Sequence, residues 1–234
     1  MDLSLTGKKA IITGGSRGIG FEIAKSLISE GVNVVIAARD PVRLRNSAAL
    51  LEKAYGVSVH HISYDIKDTV QVESMVQEAK EMLSGVDILI NNGAPAGGAG
   101  YAIESITDEN IWENLDAKTV GYLRCTRAAV PHMKANGWGR IINVAGMAAR
   151  NASTIPGGIR NAGVVVLSKV TSEDLGRFGI TVNTVHPGGV RITEESGKWK
   201  SPTTGDIANL VAFLCSPDAA CLTGESIGVA AGGG

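Results

Sequence analysis

Thr13-Gly14-Gly15-Ser16-Arg17-Gly18-Ile19-Gly20 is the stretch on which the reading of this chain turns. It follows Ala10-Ile11-Ile12, a short apolar strand, and runs into a helix that reaches about Glu30, where Gly31 ends it. A tight glycine turn at a strand–helix junction has a physical purpose. Gly14 permits the turn, Gly18 lets the backbone approach a pyrophosphate, and Gly20 lets helix and strand pack closely. Phosphates then meet the unpaired N–H groups and the dipole of the helix N-terminus. A dinucleotide is the expected ligand, with Gly14, Ser16, Arg17, Gly18, Ile19 and Gly20 as contacts. The plain alternative is a loop that needs glycine only for its own shape.

Outward from this turn, strand and helix signals alternate to the end of the chain. Val32 to Ala38 predicts strand two, and Pro41, suited to a first helical turn, opens a polar helix to about Tyr55, stopped by Gly56. Strands follow at Val57 to Ser63, Val86 to Ile90, Arg140 to Val144, Ile180 to Val185 and Ile227 to Val229. Between them lie helices at Asp68 to Leu83, from Thr107 to about Asn136, from about Ile159 to Phe178, and at Asp206 to Leu214. Thr107 reads as an N-cap, with Asn110 too weak to complete a capping box. Strands joined by helices imply right-handed crossovers and a doubly wound parallel sheet, an α/β Rossmann-type fold. No repeat or linker interrupts the chain, so residues 1–234 read as one domain.

Composition sets outer bounds. The chain has 234 residues, 44% of them hydrophobic and 19% charged, enough for a substantial core. Its 22 basic and 23 acidic residues nearly cancel, which argues against nucleic acid or an anionic membrane as partner. Cys125, Cys215 and Cys221 are too scattered for a disulfide framework, and no metal site is expected. The mixed N-terminus lacks an apolar signal core, and no run approaches the ~20 apolar residues of a membrane span. The expected location is the cytoplasm. The closing Ala230-Ala231-Gly232-Gly233-Gly234 packs nothing by itself and reads as an abrupt end.

The Thr-Gly-x3-Gly-Ile-Gly spacing resembles the short-chain dehydrogenase/reductase family, and further stretches extend the resemblance over nearly the whole chain. Asp65, followed by Ile66, resembles the family's adenine-side aspartate. Asn91-Asn92-Gly93-Ala94 resembles Asn-Asn-Ala-Gly with its last two residues exchanged. Asn183-Thr184-Val185-His186-Pro187-Gly188 resembles Asn-x-Val-x-Pro-Gly, and Leu222-Thr223-Gly224 the segment before the last strand. The resemblance implies that Asp65, Ile66, Asn92, Gly93, Ala94, Pro187 and Gly188 join the cofactor site. It also implies a dimer or tetramer built on the two long helices, with Gly163-Val164-Val165-Val166 as a flat small-residue face.

Charge selects the cofactor. An acidic residue at the end of strand two would bind a free ribose diol and repel a 2′-phosphate. Here that place holds Ala38-Arg39, and Arg17 is a second cation in reach. Asp40, one residue later, starts the next helix. NADP(H) is expected over NAD(H), against the reading that both arginines are solvated surface.

The chemistry that the resemblance implies is hydride transfer between a nicotinamide and a carbonyl or alcohol, by a tetrad of Asn, Ser, Tyr and Lys. None of Tyr55, Tyr64, Tyr101 and Tyr122 is followed four residues later by lysine. Counting back from Asn183, with Val166-Leu167-Ser168-Lys169 as the mid-helix segment, places Asn161 in the lysine position and Gly157 in the tyrosine position; Lys169 is two turns too late. Gly146, after Asn143-Val144-Ala145, takes the serine position. Lys118, in Asp116-Ala117-Lys118-Thr119-Val120-Gly121, takes the asparagine position. The connection from Gly189 to Gly205, with Thr193, Glu194, Glu195 and Lys198-Trp199-Lys200, is short for a substrate lid.

The residues left as substitutes are few. Lys118 and Tyr122 share a helix face. Lys118 reads either as an active group or as loop or ribose support, Tyr122 more readily as core or interface. Asn161 retains hydrogen-bonding capacity toward a ribose. Arg160 reads as a surface or interface charge before a substrate contact, and Tyr101 and His186 are minor candidates. His60 and His61 point to opposite faces of a strand, His132 reads as exposed, and Trp112, Trp138 and Trp199 as packing residues, Trp199 the most exposed. Three functions stay open: an oxidoreductase with a non-standard acid/base acting on a small-molecule carbonyl or alcohol; a lyase, aldolase or isomerase reusing the cleft with Lys118 as base or imine former; and an NADP(H)-binding pseudoenzyme that regulates a partner.

Overall fold

The structure, a computed structural model, describes residues 2–94, 102–150, 154–189 and 201–230. Strands β1 (Lys9–Thr13), β2 (Asn33–Ala38), β3 (His60–Ser63), β4 (Ile88–Asn91), β5 (Gly139–Val144), β6 (Ile180–Pro187) and β7 (Ser226–Val229) form one sheet in the order β3-β2-β1-β4-β5-β6-β7. All neighbouring strands are parallel. The strand order reverses between β1 and β4, and at such a switch point the connections diverge to leave a crevice beyond the strand ends.

Helices cover both faces, as near-continuous apolar strands demand. Helices α1 (Gly18–Ser29), α2 (Pro41–Tyr55) and α7 (Thr204–Cys215) pack on one face through Ile23, Leu27, Leu44, Leu51, Ile207 and Val211. Helices α3 (Thr69–Leu83), α5 (Gly121–Asn136) and α6 (Ile155–Leu175) pack on the other through Val72, Met75, Tyr122, Cys125, Met133 and Val164. Among the described residues no helix is long and apolar enough to cross a membrane.

Local chemistry accounts for the ends. Asp40 and Asp68 cap α2 and α3, each accepting from two backbone N–H groups, and Gly56 closes α2 with φ +67°. Several expectations are corrected. Asn110 does complete the capping box with Thr107, because its side-chain oxygen accepts from Thr107 N at 3.2 Å while Thr107 Oγ1 accepts from Asn110 N. The long helix expected there is divided into α4 (Asp108–Leu115) and α5 by a π-helical turn over Asp116–Val120. Helix α6 starts at Ile155, not Ile159, because Thr154 caps it and Pro156 fits its first turn. Strand β3 begins at His60 because the preceding residues do not pair.

Candidate functional site

A cleft of about 800 Å³ opens at the C-terminal ends of β1 and β4. Thr13, the last residue of β1, ties its two walls together. Its hydroxyl donates to Ile90 O at 3.0 Å and accepts from Asn92 N and Gly93 N at 2.9 and 3.0 Å. Asn92 answers from β4's side, its Nδ2 donating to the carbonyls of Thr13 and Gly14, each at 3.2 Å. The glycines are required by this closeness. A Cβ on Gly20 would lie 2.3 Å from Gly14 O, and one on Gly14, at φ +66°, would lie 2.7 Å from Gly93 Cα. At the start of α1, Arg17 occupies the N-cap without a side-chain cap bond, which leaves the first amides of the helix for a ligand.

Gly14, Ser16, Arg17, Gly18, Ile19, Arg39, Asp65, Ile66, Asn92, Gly93 and Ala94 all line the cleft. Pro187 and Gly188 lie apart from that lining: Gly188 N donates to Val229 O, and a Cβ on Gly188 would press on Ala230 at 2.8 Å. Arg43 and Lys67 also line it and were missed by sequence reasoning. The signal for Arg43 was its position three residues after Asp40, one helical turn away, where the two form an ion pair at 3.4 Å. Lys67 reaches Glu113 at 3.1 Å. The mouth of the cleft therefore gathers Arg17, Arg39, Arg43 and Lys67, with Asp40 held below the ordinary carboxylate range chiefly by the hydrogen bond from Arg43 N.

Under the cleft floor runs a buried polar chain. Asn91 Nδ2 donates to Asn143 Oδ1 at 2.8 Å, Asn143 Nδ2 to Ser168 Oγ at 2.8 Å, and Thr184 Oγ1 to Ser168 Oγ at 2.6 Å. It fixes β4, β5, β6 and α6 in register below the site. Its members come from four separate stretches of chain, and nothing in their spacing announces it.

The remaining candidates gather around the end of β5, where Ala117, beside Lys118, lines the cleft and they do not. Lys118 sits on the π-helical turn, buried at 6% exposure, with its Nζ donating to Ala145 O at 2.8 Å. Burial first, and then the neighbouring Arg160 guanidinium, lower its pKa from 10.5 to about 7. Gly146 is extended backbone, and a Cβ on it would lie 3.4 Å from Asn161 Nδ2. Asn161 Nδ2 donates to Gly157 O at 2.8 Å, and among the described residues its Oδ1 accepts nothing. A Cβ on Gly157 would lie 2.5 Å from Thr154 Oγ1, the oxygen that caps α6 by accepting from Gly157 N. Lys118, Gly146, Gly157 and Asn161 are thus brought together around the end of β5.

Tyr122 is not at that place. It is fully buried, its hydroxyl donates to Val144 O at 3.0 Å, and burial pushes its pKa far up, so it is a core residue. Arg160 is corrected from a surface charge to a buried one: it lies in α6 against the π turn, where its carbonyl accepts from Thr119 Oγ1 at 2.8 Å. His186 is buried between two partners. Gly146 O can only accept, so Nδ1 donates to it at 3.0 Å, and Nε2 pairs with Ser226 Oγ at 2.7 Å. Burial lowers the ring's pKa, against the hydrogen bond to Gly146 O, which raises it.

Trp112 is 67% exposed rather than packed, and His132 is half-buried rather than exposed. Trp138 does pack, between Lys8 and Arg140. Gly163 turns inward, where a Cβ would meet Thr119 at 2.9 Å; the exposed apolar side chains of α6 are Ile155, Ile159, Val166 and Val170. Tyr101, Thr193, Glu194, Glu195, Lys198, Trp199 and Lys200 lie outside the described residues. Among the described residues no group of His, Cys, Asp and Glu is placed to hold a metal.

A family model described as short chain dehydrogenase matches residues 8–203. The chain belongs to the short-chain dehydrogenase family. It is 29% identical to a 3-oxoacyl-[acyl-carrier-protein] reductase of Aquifex aeolicus, over 99% of both chains. It is 31% identical to a putative ketoacyl reductase of Streptomyces coelicolor, over 95% of both. Among solved structures, L-sorbose reductase from Gluconobacter frateurii complexed with NADPH and L-sorbose superposes with a TM-score of 0.91 at 28% identity, covering 99% of this chain and 98% of that one. The family is one of oxidoreductases, and the seven-stranded parallel sheet matches its fold.

Proposed function

We propose that this chain binds NADP(H) and reduces a small carbonyl compound, or oxidises the corresponding alcohol, with a proton-transferring group other than the family's tyrosine. The observation that carries the cofactor preference is the cluster of Arg17, Arg39 and Arg43 at the cleft mouth, with Ala38 where a diol-binding acid would stand. Guanidinium groups suit a 2′-phosphate because they donate paired N–H bonds to its oxygens. The cradle fits the rest of the group: glycines that leave no room for a Cβ, open amides at the start of α1, and Asp65 and Ile66 along one wall. When bound, the nicotinamide supplies hydride. Gly14, Ser16, Gly18, Ile19, Asn92, Gly93 and Ala94 hold the dinucleotide, and Gly20, outside the lining, lets α1 close on Gly14.

The test is calorimetric titration with NADPH and NADH, then NADPH oxidation against L-sorbose, β-keto esters and aromatic aldehydes. NADPH is expected to bind at least ~10-fold more tightly, about 1.4 kcal/mol. Equal or tighter NADH binding would reject the preference, and no turnover across the panel would reject the oxidoreductase reading.

One observation favours a second reading. A buried lysine beside a second cation is the arrangement that makes a nucleophilic amine, so Lys118 next to Arg160 also suits imine formation with a carbonyl substrate. Borohydride trapping of an adduct on Lys118 would support that non-redox chemistry. We further propose a cytosolic homo-oligomer that pairs through the exposed Ile159, Val166 and Val170 of α6 and Leu123 of α5. Sedimentation that shows monomer alone would remove that part.

A further inference from the structure

Basic side chains converge beneath the end of β5: Lys118 from the π turn, Arg160 from α6 and His186 from β6. Their commitments differ. His186 uses both ring nitrogens on Gly146 O and Ser226 Oγ, so neither is left for a ligand. The Arg160 side chain is buried, and its charge bears on both Lys118 and Tyr122. Lys118 donates one hydrogen to Ala145 O, and its ammonium has two more. Ala145 adjoins Gly146, and Gly146 adjoins Asn161, whose amide is oriented by Gly157 O and whose Oδ1 accepts nothing among the described residues. Gly146 and Gly157 carry no side chains, and Ala117, next to Lys118, lines the cleft.

We propose that Lys118 is the proton-transferring residue for a substrate oxygen that reaches the end of β5 beside Ala117, the neighbour of Lys118 that lines the cleft. The proposal rests on the oxidoreductase reading above. In the reducing direction, hydride adds to the carbonyl carbon and the C=O π pair moves onto oxygen. That oxygen takes a proton from the Lys118 ammonium, which leaves an alcohol and a neutral amine; the amine recovers its proton from solvent. In the oxidising direction the amine takes the hydroxyl proton as hydride leaves carbon. Both protonation states of Lys118 are within reach near neutral pH, as proton transfer in both directions requires. Among the described residues, the charged or titratable groups facing it are Arg160 from α6, Tyr122 one turn on and His186 from β6, with Arg150 beyond His186. Asp116, on the same turn, is engaged by Arg124 at 2.7 Å.

The test compares wild type with Lys118→Met, which matches the buried stem without the amine, and Lys118→Arg, which keeps the charge. NADPH oxidation is measured against the carbonyl panel as a function of pH, and NADPH affinity by calorimetry. Independently of turnover, the ¹³C-dimethylated cofactor-free protein is titrated by NMR, and the resonance missing from Lys118→Arg identifies Lys118. Loss of Lys118 is expected to lower kcat by ~100-fold or more while NADPH affinity holds within about 3-fold. The kcat profile should lose an inflection near 7, where the Lys118 resonance itself titrates. Turnover by Lys118→Met close to wild type overturns the proposal alone. So does a Lys118 resonance that titrates like an exposed lysine, or a borohydride-trapped adduct that makes the amine a nucleophile. Absence of turnover by wild type would overturn the oxidoreductase reading, and the proposal with it.

Discussion

The glycine turn and the end of β5 have been treated differently. At the glycine turn, Gly14, Gly20 and Gly93 approach main chain so closely that even a Cβ is excluded, and the Thr13 hydroxyl and Asn92 amide tie the walls across that approach. At the far end, Lys118, Gly146, Gly157 and Asn161 occupy the space around β5, and the contacts there run through single side chains. A site held by backbone approach tolerates few replacements, because each added Cβ meets an atom that cannot move. A site held by side chains is rebuilt by exchanging them. The difference teaches that binding and chemistry in this fold are separable.

The largest effect that would break the comparison lies at the glycine turn. Gly20→Val puts branched carbons where even a Cβ meets Gly14 O at 2.3 Å. NADPH binding is expected to fall by ~1,000-fold or more, equivalent to about 4 kcal/mol. Binding within about 10-fold of wild type by calorimetry would show that the close approach is not what holds the ligand. Next, Arg39→Ala and Arg17→Ala should each weaken NADPH by ~10- to 100-fold, about 1.4 to 2.7 kcal/mol, and leave NADH nearly unchanged. Equal losses for both cofactors would move these arginines from selecting the 2′-phosphate to shaping the wall.

A smaller effect sharpens the picture of the hinge between the walls. Thr13→Val removes one acceptor for two amides and one donor to Ile90 O, all buried or nearly so. A loss of about 2 kcal/mol in denaturant unfolding is expected; no change would mean water replaces the hydroxyl. The smallest effect is in pH dependence. Lys118 and His186 both have lowered pKa values in the folded protein, so unfolding takes up protons between each folded value and the ordinary one, below 6.5 for His186 and from about 7 to 10.5 for Lys118. Stability should therefore rise with pH: through the His186 region below 6.5, and then from about 7 toward 10.5 for Lys118. Lys118→Met should raise Tm at pH 6 by roughly 2 to 4 °C and flatten the upper rise. An unchanged slope would place the charge of Lys118 in contact with solvent.

How much of this was legible follows the same division. Periods of apolar residues and the glycine turn located every strand, because strands buried on both faces and turns of positive φ leave local marks. Gly56 was readable as a stop for that reason, and Asp40 as a start because its carboxylate caps the first amides of α2. The π-helical turn at Asp116–Val120 was not, since the close approaches around it are to residues distant in sequence: a Cβ on Gly121 would meet Ile66 at 2.7 Å, and one on Gly163 would meet Thr119 at 2.9 Å. Register alone placed Gly146, Gly157 and Asn161, and the structure brings them together. It could not show that Arg160 turns inward or that His186 is locked between Gly146 and Ser226, because both His186 partners lie 40 residues away in the chain. Burial and long-range partners decide a titratable group's chemistry, and neither is local.

Separability of the two ends is tested most directly by stopped-flow fluorescence of NADPH mixed with wild type or Lys118→Met and a carbonyl substrate of the wild type. One trace reports both ends, as a fast binding phase and a slower oxidation phase. Lys118→Met is expected to keep the binding phase and slow the oxidation phase by ~100-fold or more. An oxidation phase that survives intact, or a binding phase that disappears with it, would contradict a dinucleotide-binding end joined to a separate reaction end built around Lys118.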